Sequence, residues 1–411
     1  MIVETIENPA GFEKLRNEWS ELLEASDSNC LFLTWEWLHT WWQHLSEGRR
    51  LFILTVRDGG QLVGIAPLAL RARRLIRFLP FSALELLGTG SVGSDYLDVI
   101  VRRGVEERTV RTLAEYLAAK KRMLDLSQFN KGSVAIAPAL ARRLRERGWK
   151  SREALFQICP FIDLSEHSWA SYLATLDWEH RHNFKRRLRQ ITKQFAVGFD
   201  SVVSEAQRRE ALDALLNLHD MRWRERGGSN AFHTPGLRAF HEEMSRLALQ
   251  RGWLRLFLLR LDGQPTGSLY GFLYDRRFYF YQQGFDPRYE KYSIGLLMTG
   301  LTIQRAIEER AKEYDFLRGD ERFKFHWAIA ARPLGRLELY PPGARGSLSH
   351  HAMRLRGAVR SASRRLLSHV SAYKIRAAKG TASNAGGRRH DPSLRHPVAD
   401  RADERPGLRR A

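Results

Sequence analysis

The sequence predicts a mixed α/β (α+β) fold built twice, each unit a mixed, mostly antiparallel sheet flanked by helices. Length is the first reason, because 411 residues exceed what one ordinary hydrophobic core organises. The second is a hairpin signature that occurs twice. Residues 51–70 read LFILTVRDGGQLVGIAPLAL and residues 256–274 read LFLLRLDGQPTGSLYGFLY, both strand, Asp-Gly turn and strand. The third is that the elements around each hairpin follow one order at an offset of about 205 residues, too long for a solenoid and suited to a duplicated domain.

In the first half, apolar periodicity predicts helices over 11–25 and 35–45 ahead of the hairpin. A strand over 96–101, a helix over 105–121, a strand over 123–126 and a helix over 137–147 follow it. In the second half, helices over 206–226 and 235–251 take the leading places. Residues 254–261 are apolar enough for a buried strand, Asp262-Gly263 marks a tight turn, and aromatic-rich strands follow over 266–274 and 277–283. Pro287 turns the chain, and a helix begins near Ser293 with Leu296, Leu297, Gly300, Ile303 and Ile307 on one face. That helix start, with Ser293 and Gly295 in its first turn, presents free N–H groups and a positive dipole end to an anion. Between the copies, 178–195 reads as a helix carrying Arg181, Lys185, Arg186, Arg189 and Lys193. The expected boundaries are 1–160, 161–342 and a basic tail over 343–411.

Composition narrows the function classes. No run approaches the eighteen or so apolar residues of a membrane span. The N-terminal MIVETIENPAGFEKL lacks a basic patch ahead of an apolar core, so a cytoplasmic protein is expected. Cys30 and Cys159 are too few for a disulfide framework and read as structural thiols. The net charge of +21 is concentrated, since residues 343–411 hold sixteen Lys or Arg against four Asp or Glu. That placement, and the excess of arginine over lysine, argues against nucleic acid as the partner. Residues 348–378 suit a basic amphipathic helix lying on anionic lipid, which predicts peripheral contact with the inner membrane. Beyond Lys379 the composition is that of a disordered segment.

An ordered set of residues in the second half carries a family likeness: Asp286-Pro287, Tyr289, Tyr292-Ser293-x-Gly295-Leu296, Asp315-Phe316, Gly319-Asp320-Glu321 and Phe323-Lys324-x-x-Trp327. It resembles the C-terminal domain of GNAT acyltransferases, more closely the CelD/BcsL-type branch linked to cellulose and exopolysaccharide synthesis. The duplicated layout, tandem GNAT-like domains, is similar to that of Fem-type transferases. Two positions depart from the pattern: Leu297 stands where the phosphate loop usually has a second glycine, and Ile294 where the branch often has proline. The resemblance implies no bound cofactor, but acetyl-CoA or another acyl-CoA as co-substrate at Gln283, Gly284, Tyr292, Ser293, Gly295 and Leu296. Arg181, Asn183 and Arg186 match a basic patch of the branch, suited to an acceptor or a phosphate by their paired donors. In the first half, Gly88, Gly90 and Gly93 lie in a loop without a P-loop lysine, followed by Asp95-Tyr96-Leu97-Asp98. The resemblance puts this Ser-Asp-Tyr pattern at the mouth of the cleft between domains, and the first copy is read as retained for the acceptor.

Amide-forming acyl transfer needs a polarised thioester, a neutral amine and a proton for the leaving thiolate. Backbone N–H groups over 279–284 are the natural donors to the thioester carbonyl. Asp95, Asp98, Asp320 and Glu321 are the candidate bases, and Tyr292 is the candidate proton donor. Tyr96, Asp320, Lys324 and Trp327 complete the candidate substrate contacts. No G-x-S-x-G elbow and no zinc-ligand spacing compete with this chemistry. The expected acceptor is a small-molecule or glycan amine, an amino sugar or a cell-envelope or exopolysaccharide precursor. Two other readings stay open: a Fem-like transferase that takes its acyl group from aminoacyl-tRNA, and a non-catalytic scaffold of a polysaccharide synthesis complex.

Overall fold

Among the described residues, eleven strands run side by side through both halves of the chain in a single sheet, and a smaller four-stranded sheet belongs to the first half. The computed structural model describes residues 1–74, 80–132, 135–224, 232–344, 346–348 and 350–351. Most of the expected 348–378 helix and the segment beyond Lys379 thus lie outside the described residues.

The first half holds β1 (Ile2–Ile6), α1 (Pro9–Lys14), α2 (Arg16–Glu24), α3 (Trp35–Leu45), β2 (Arg49–Leu51), β3 (Ile53–Asp58), β4 (Gln61–Ala66) and β5 (Leu68–Arg74). It continues through β6 (Pro80–Leu86), β7 (Ile100–Val101), α4 (Glu106–Lys120), β8 (Met123–Asn130), α5 (Ile136–Arg145) and β9 (Lys150–Asp163). The second half holds α6 (Trp169–Thr175), α7 (Trp178–Gln194), β10 (Val197–Ser201), α8 (Glu205–Arg224), α9 (Pro235–Gln250), β11 (Leu254–Leu261) and β12 (Gln264–Tyr274). It ends with β13 (Arg277–Phe285), α10 (Ile294–Glu308), β14 (Glu313–Asp315), α11 (Arg322–Phe325) and β15 (Ala330–Tyr340).

The duplication shows in the hydrogen bonding. Each half contains one parallel pairing, β6 with β8 and β13 with β14, and all the other pairings among the described residues are antiparallel. Two long strands that the hydrophobic pattern did not mark, β9 and β15, join the halves. The order β14-β9-β15-β8 sets the last strand of each half between strands of the other. One sheet per unit is the expectation; strand exchange makes the two continuous. The expected strand over 96–101 shrinks to Ile100–Val101, because Tyr96 takes a left-handed conformation (φ 58°) and the chain before it is loop.

Burial explains the strands. In β11, Leu256 and Leu258 enter one hydrophobic cluster while Phe257 and Leu259 enter another, so both faces of the strand are covered. α7 starts on Asp177, whose carboxylate accepts from the N–H groups of Glu179 and His180. It then crosses α10 very closely: a Cβ on Gly300 would stand 2.2 Å from the ring of Phe184. This contact sets the spacing of the two helices that wall the larger cavity. Gly300→Val is expected to lower stability by about 1–3 kcal/mol in urea melts through overpacking, even though an exposed helical glycine gains from replacement. An unchanged midpoint would show that Phe184 moves aside freely.

Candidate acyl-transfer site

The site begins where β13 and β14 part. They pair through three positions only, ending at Tyr279 opposite Asp315. Beyond Asp315 the chain leaves β13 and follows β9, with Phe316 N–H donating to Pro160 O and Gly319 N–H to Ile158 O, each at 2.9 Å. β13 meanwhile continues to Phe285, so its backbone from Phe280 onward is paired with a strand on one side only, with Gln283 O accepting from the Arg222 guanidinium at 3.2 Å. A bulge where the register shifts between Tyr270 and Gly271 leaves Tyr281 unpaired and re-aims its side chain. Its hydroxyl donates to Val92 O of the glycine-rich loop.

Two cavities flank this opening and share Arg222, Gln283 and Phe323. The larger, about 910 Å³, is walled by α7, the end of β13, the first turn of α10 and residues 323–327. Ser293 stands before α10 in the left-handed region (φ 58°, ψ 49°) and makes no side-chain cap. A non-glycine residue held there costs about 1–2 kcal/mol, strain of the kind found at functional sites. Ser293 O takes the N–H groups of Leu296 and Leu297, which leaves those of Ile294 and Gly295 to whatever enters the cavity. Gln283 fixes this turn to β13 by donating from Nε2 to Gly295 O at 3.0 Å, and the Gly295 Cα faces the Phe285 ring. Ser293, Gly295, Leu296, Asn183, Arg186 and Trp327 all line the cavity. So do Arg187 and His180, whose Nε and Nε2 atoms are buried without a hydrogen-bond partner. Burial, helped by the neighbouring His326, pushes His180 down to about 4, so its ring is neutral at physiological pH.

The smaller cavity, about 540 Å³, lies on the other side of β13 and is lined by Asp95, Tyr281, Arg318, Glu321 and Lys324. Asp95 comes from the first half. The loop after β6 turns through Gly88, Gly90 and Gly93, all at positive φ, and is tied down beside β8. Trp37 Nε1 donates to Ser94 Oγ at 2.9 Å, Gln128 Nε2 to Ser94 O at 2.6 Å and Leu97 N–H to Gln128 O at 3.0 Å. The loop thus fills the first half's own strand opening and delivers Asp95 to the second half's. Asp95 is fully buried; Oδ2 accepts from Arg318 N–H at 2.9 Å, while Oδ1 has no hydrogen bond and lies 3.8 Å from the Arg318 guanidinium. Burial raises its pKa, against the pull of Arg318. Lys324 donates to Leu317 O at 3.2 Å and Arg318 O at 2.8 Å, and pairs with Glu321 at 2.9 Å. It thereby holds the 317–321 turn against the cavity.

Other residues singled out from the sequence sit elsewhere. The Asp98 carboxylate accepts from the N–H groups of Val99, Ile136 and Ala137 at 2.7–2.8 Å, capping α5. Burial still carries its pKa to about 7. Tyr96 donates to Asp315 Oδ2 at 2.6 Å, and with Asp98 borders a separate cavity of about 130 Å³. Tyr292 packs on Phe195 and Tyr289, outside both larger cavities. Arg181 donates to Leu173 O and Ala174 O at the end of α6. Gly284 packs on α8 at Leu218 and His219, and Asp320 is exposed. Sequence reasoning missed Arg222, Arg318 and Tyr281. Arg318 sits inside the matched motif and was findable there; Arg222 had no signal beyond lying on a helix.

Residues 179–325 match the family model of the acetyltransferase (GNAT) domain. Among solved structures, FemX aligns at a TM-score of 0.59 and 13% identity, over 82% of this chain and 97% of its own. L-PGS from Bacillus licheniformis aligns at 0.50 and 12% identity, over 85% and 97%. A conserved protein of unknown function from Bacteroides thetaiotaomicron VPI-5482 aligns at 0.50 and 12%, over 82% and 99%. No curated protein matches the chain. The fold is thus a mixed α/β arrangement with a duplicated, GNAT-like layout, and the family match falls on its second half. Among the described residues no helix is long and apolar enough to cross a membrane.

Because burial holds Asp95 above the ordinary carboxylate pKa of about 3.9, its stabilising contribution belongs to the protonated form. It is fully present below the unfolded value and is lost as pH rises through the folded one. Asp95→Asn is therefore expected to melt above the wild type at pH 8, the gap narrowing towards pH 4. A variant that melts lower across that range would contradict this.

Proposed function

We propose that the protein is an N-acyltransferase that carries an acyl group from acyl-CoA to an amine. The observation that carries this reading is the meeting of two cavities across the β13–β14 opening at Gln283 and Phe323. The donor enters the larger cavity with its phosphates on the first turn of α10, supported by Arg187 and Arg186. Its thioester then lies along the open edge of β13, whose N–H groups polarise the carbonyl. The acceptor enters the smaller cavity, where Asp95 holds the ammonium and takes its proton. A carboxylate whose pKa is raised by burial is better matched to that transfer than an exposed one. The amine nitrogen then bonds to the acyl carbon, the C–S bond breaks, and the excess proton left on the nitrogen passes to the departing thiolate. Positioning across the opening supplies much of the rate.

A polar cavity of this size bearing a carboxylate, Arg318 and Glu321 suits a hydrophilic amine such as an amino sugar or an exopolysaccharide precursor. The branch likeness points the same way.

Free CoA and acyl-CoAs are expected to raise the melting temperature, by about 2.7 kcal/mol of added stability at a hundred times the dissociation constant. Gly295→Leu is expected to abolish the rise, because the side chain would displace Phe285 from the anion turn. In a transfer assay, Asp95→Asn is expected to cost about 10²- to 10⁴-fold in kcat/KM while the CoA-induced shift persists. No response to any CoA species would sink the reading and favour an aminoacyl-tRNA donor or a scaffold.

A further inference from the structure

The smaller cavity carries a charge pattern that a plain amine does not complement. Its cations are Arg222, Arg318 and Lys324, against the carboxylates Asp95 and Glu321. Burial pushes His219, also in its wall, down to about 4, so that ring is neutral at physiological pH. Two of the cations are already engaged: Lys324 pairs with Glu321 at 2.9 Å, and Arg222 donates to Gln283 O at 3.2 Å. Arg318 differs. Its guanidinium lies over the Phe156 ring, 5.8 Å from the centroid, and makes no hydrogen bond among the described residues. Asp95 Oδ1 stands 3.8 Å away, too far for a hydrogen bond, and that oxygen is itself buried without a partner. Two opposite charges thus stand side by side with their hydrogen-bonding capacity unused. An ammonium alone would satisfy Asp95 but add positive charge where cations already outnumber anions. A molecule with a carboxylate beside its amine adds no net charge and matches both groups. Its ammonium donates to Asp95 Oδ1 while its carboxylate accepts from the Arg318 fork. Hydrogen bonds of roughly 2.8 Å reach both members of this pair only when the ligand's own two charges are close neighbours.

We propose that the acceptor is an amine bearing a carboxylate close to its nitrogen, with Asp95 taking the amine and Arg318 the carboxylate. The inference rests on the reading that this cavity takes the acceptor, and narrows that acceptor from any hydrophilic amine to a zwitterionic one. A free α-amino acid and an amino sugar that carries a carboxylate share this chemistry. The carboxylate is untouched in the transfer, in which the nitrogen gains the acyl group and loses a proton. Arg318 therefore sets specificity by binding and takes no part in the bonds made and broken.

The test compares matched amines on the full chain: serine against serinamide, and muramic acid, a carboxylate-bearing ether of glucosamine, against glucosamine. Each is assayed for thiol release from acetyl-CoA and titrated calorimetrically with and without free CoA. In at least one pair the acid-bearing member is expected to be preferred about ten-fold or more, and the pair that shows it names the source. Arg318→Gln is expected to shrink that ratio about five-fold or more, through KM rather than kcat, and Arg318→Lys to restore part of it. Melting curves check that both variants are folded. Equal or better use of serinamide and glucosamine overturns the inference, as does failure of both acid-bearing amines to bind. An acid preference that Arg318→Gln leaves intact overturns the assignment to Arg318. If no CoA species binds, the donor reading fails, and the amine titrations alone decide the acceptor inference by the same ratios.

Discussion

The site depends on a sheet that stops being a sheet. Backbone N–H and C=O groups demand partners, and β13 loses its neighbour after Tyr279 because the next strand turns to β9 instead. What remains is a row of polar backbone groups paired with a strand on one side only, set in a rigid frame. Helix α10 closes one flank of that gap and the 317–324 turn closes the other. Cavities therefore form on both sides of β13, and among the described residues Arg222, Gln283 and Phe323 are common to both.

The first half occupies the same kind of opening with its own loop. Parallel pairing of β6 and β8 creates a second gap by the same rule, and residues 87–98 fill it through the bonds to Trp37, Gln128 and β8. An empty gap there would leave buried polar backbone unsatisfied; a filled one turns the loop into a fixed support for Asp95. The orphaned Asp95 Oδ1 is thus held by the first half and exposed to the chemistry of the second. Keeping a carboxylate buried beside one guanidinium at 3.8 Å costs stability, a cost typical of groups kept for what they do.

Much of the second half was legible because its signals are local. Strand β11, the Asp262-Gly263 turn and the start of α10 at Ser293 follow from apolar runs, turn chemistry and helical spacing, and the structure reproduces them. β9 and β15 were not legible. Residues 153–157 of β9 are all exposed and show no buried face, and β15 contains Pro333, which argues against a strand in the sequence; their pairing is decided by distant strands. Among candidate site residues, Gly295, Asn183, Arg186 and Lys324 follow the motif into the cavities. Asp98 and Arg181 do not, because each carries as good a match to a helix end nearby, and a short side-chain-to-backbone reach wins over a longer one. Which carboxylate of the 95–98 segment faces the gap turns on the left-handed Tyr96, which no sequence pattern announces.

Strand exchange also fixes an order of events. β8 and β9 are made early, yet the strand that fits between them begins only at Ala330, 167 residues after β9 ends at Asp163. At about 5–20 residues per second, a ribosome needs roughly ten to thirty seconds to supply it. Through that interval the emerging first half holds the unpaired edge of β8 and both edges of β9, and its sheet closes only once β15 has emerged. The duplicated chain therefore folds as one unit of high contact order, unlike a pair of beads that finish in turn.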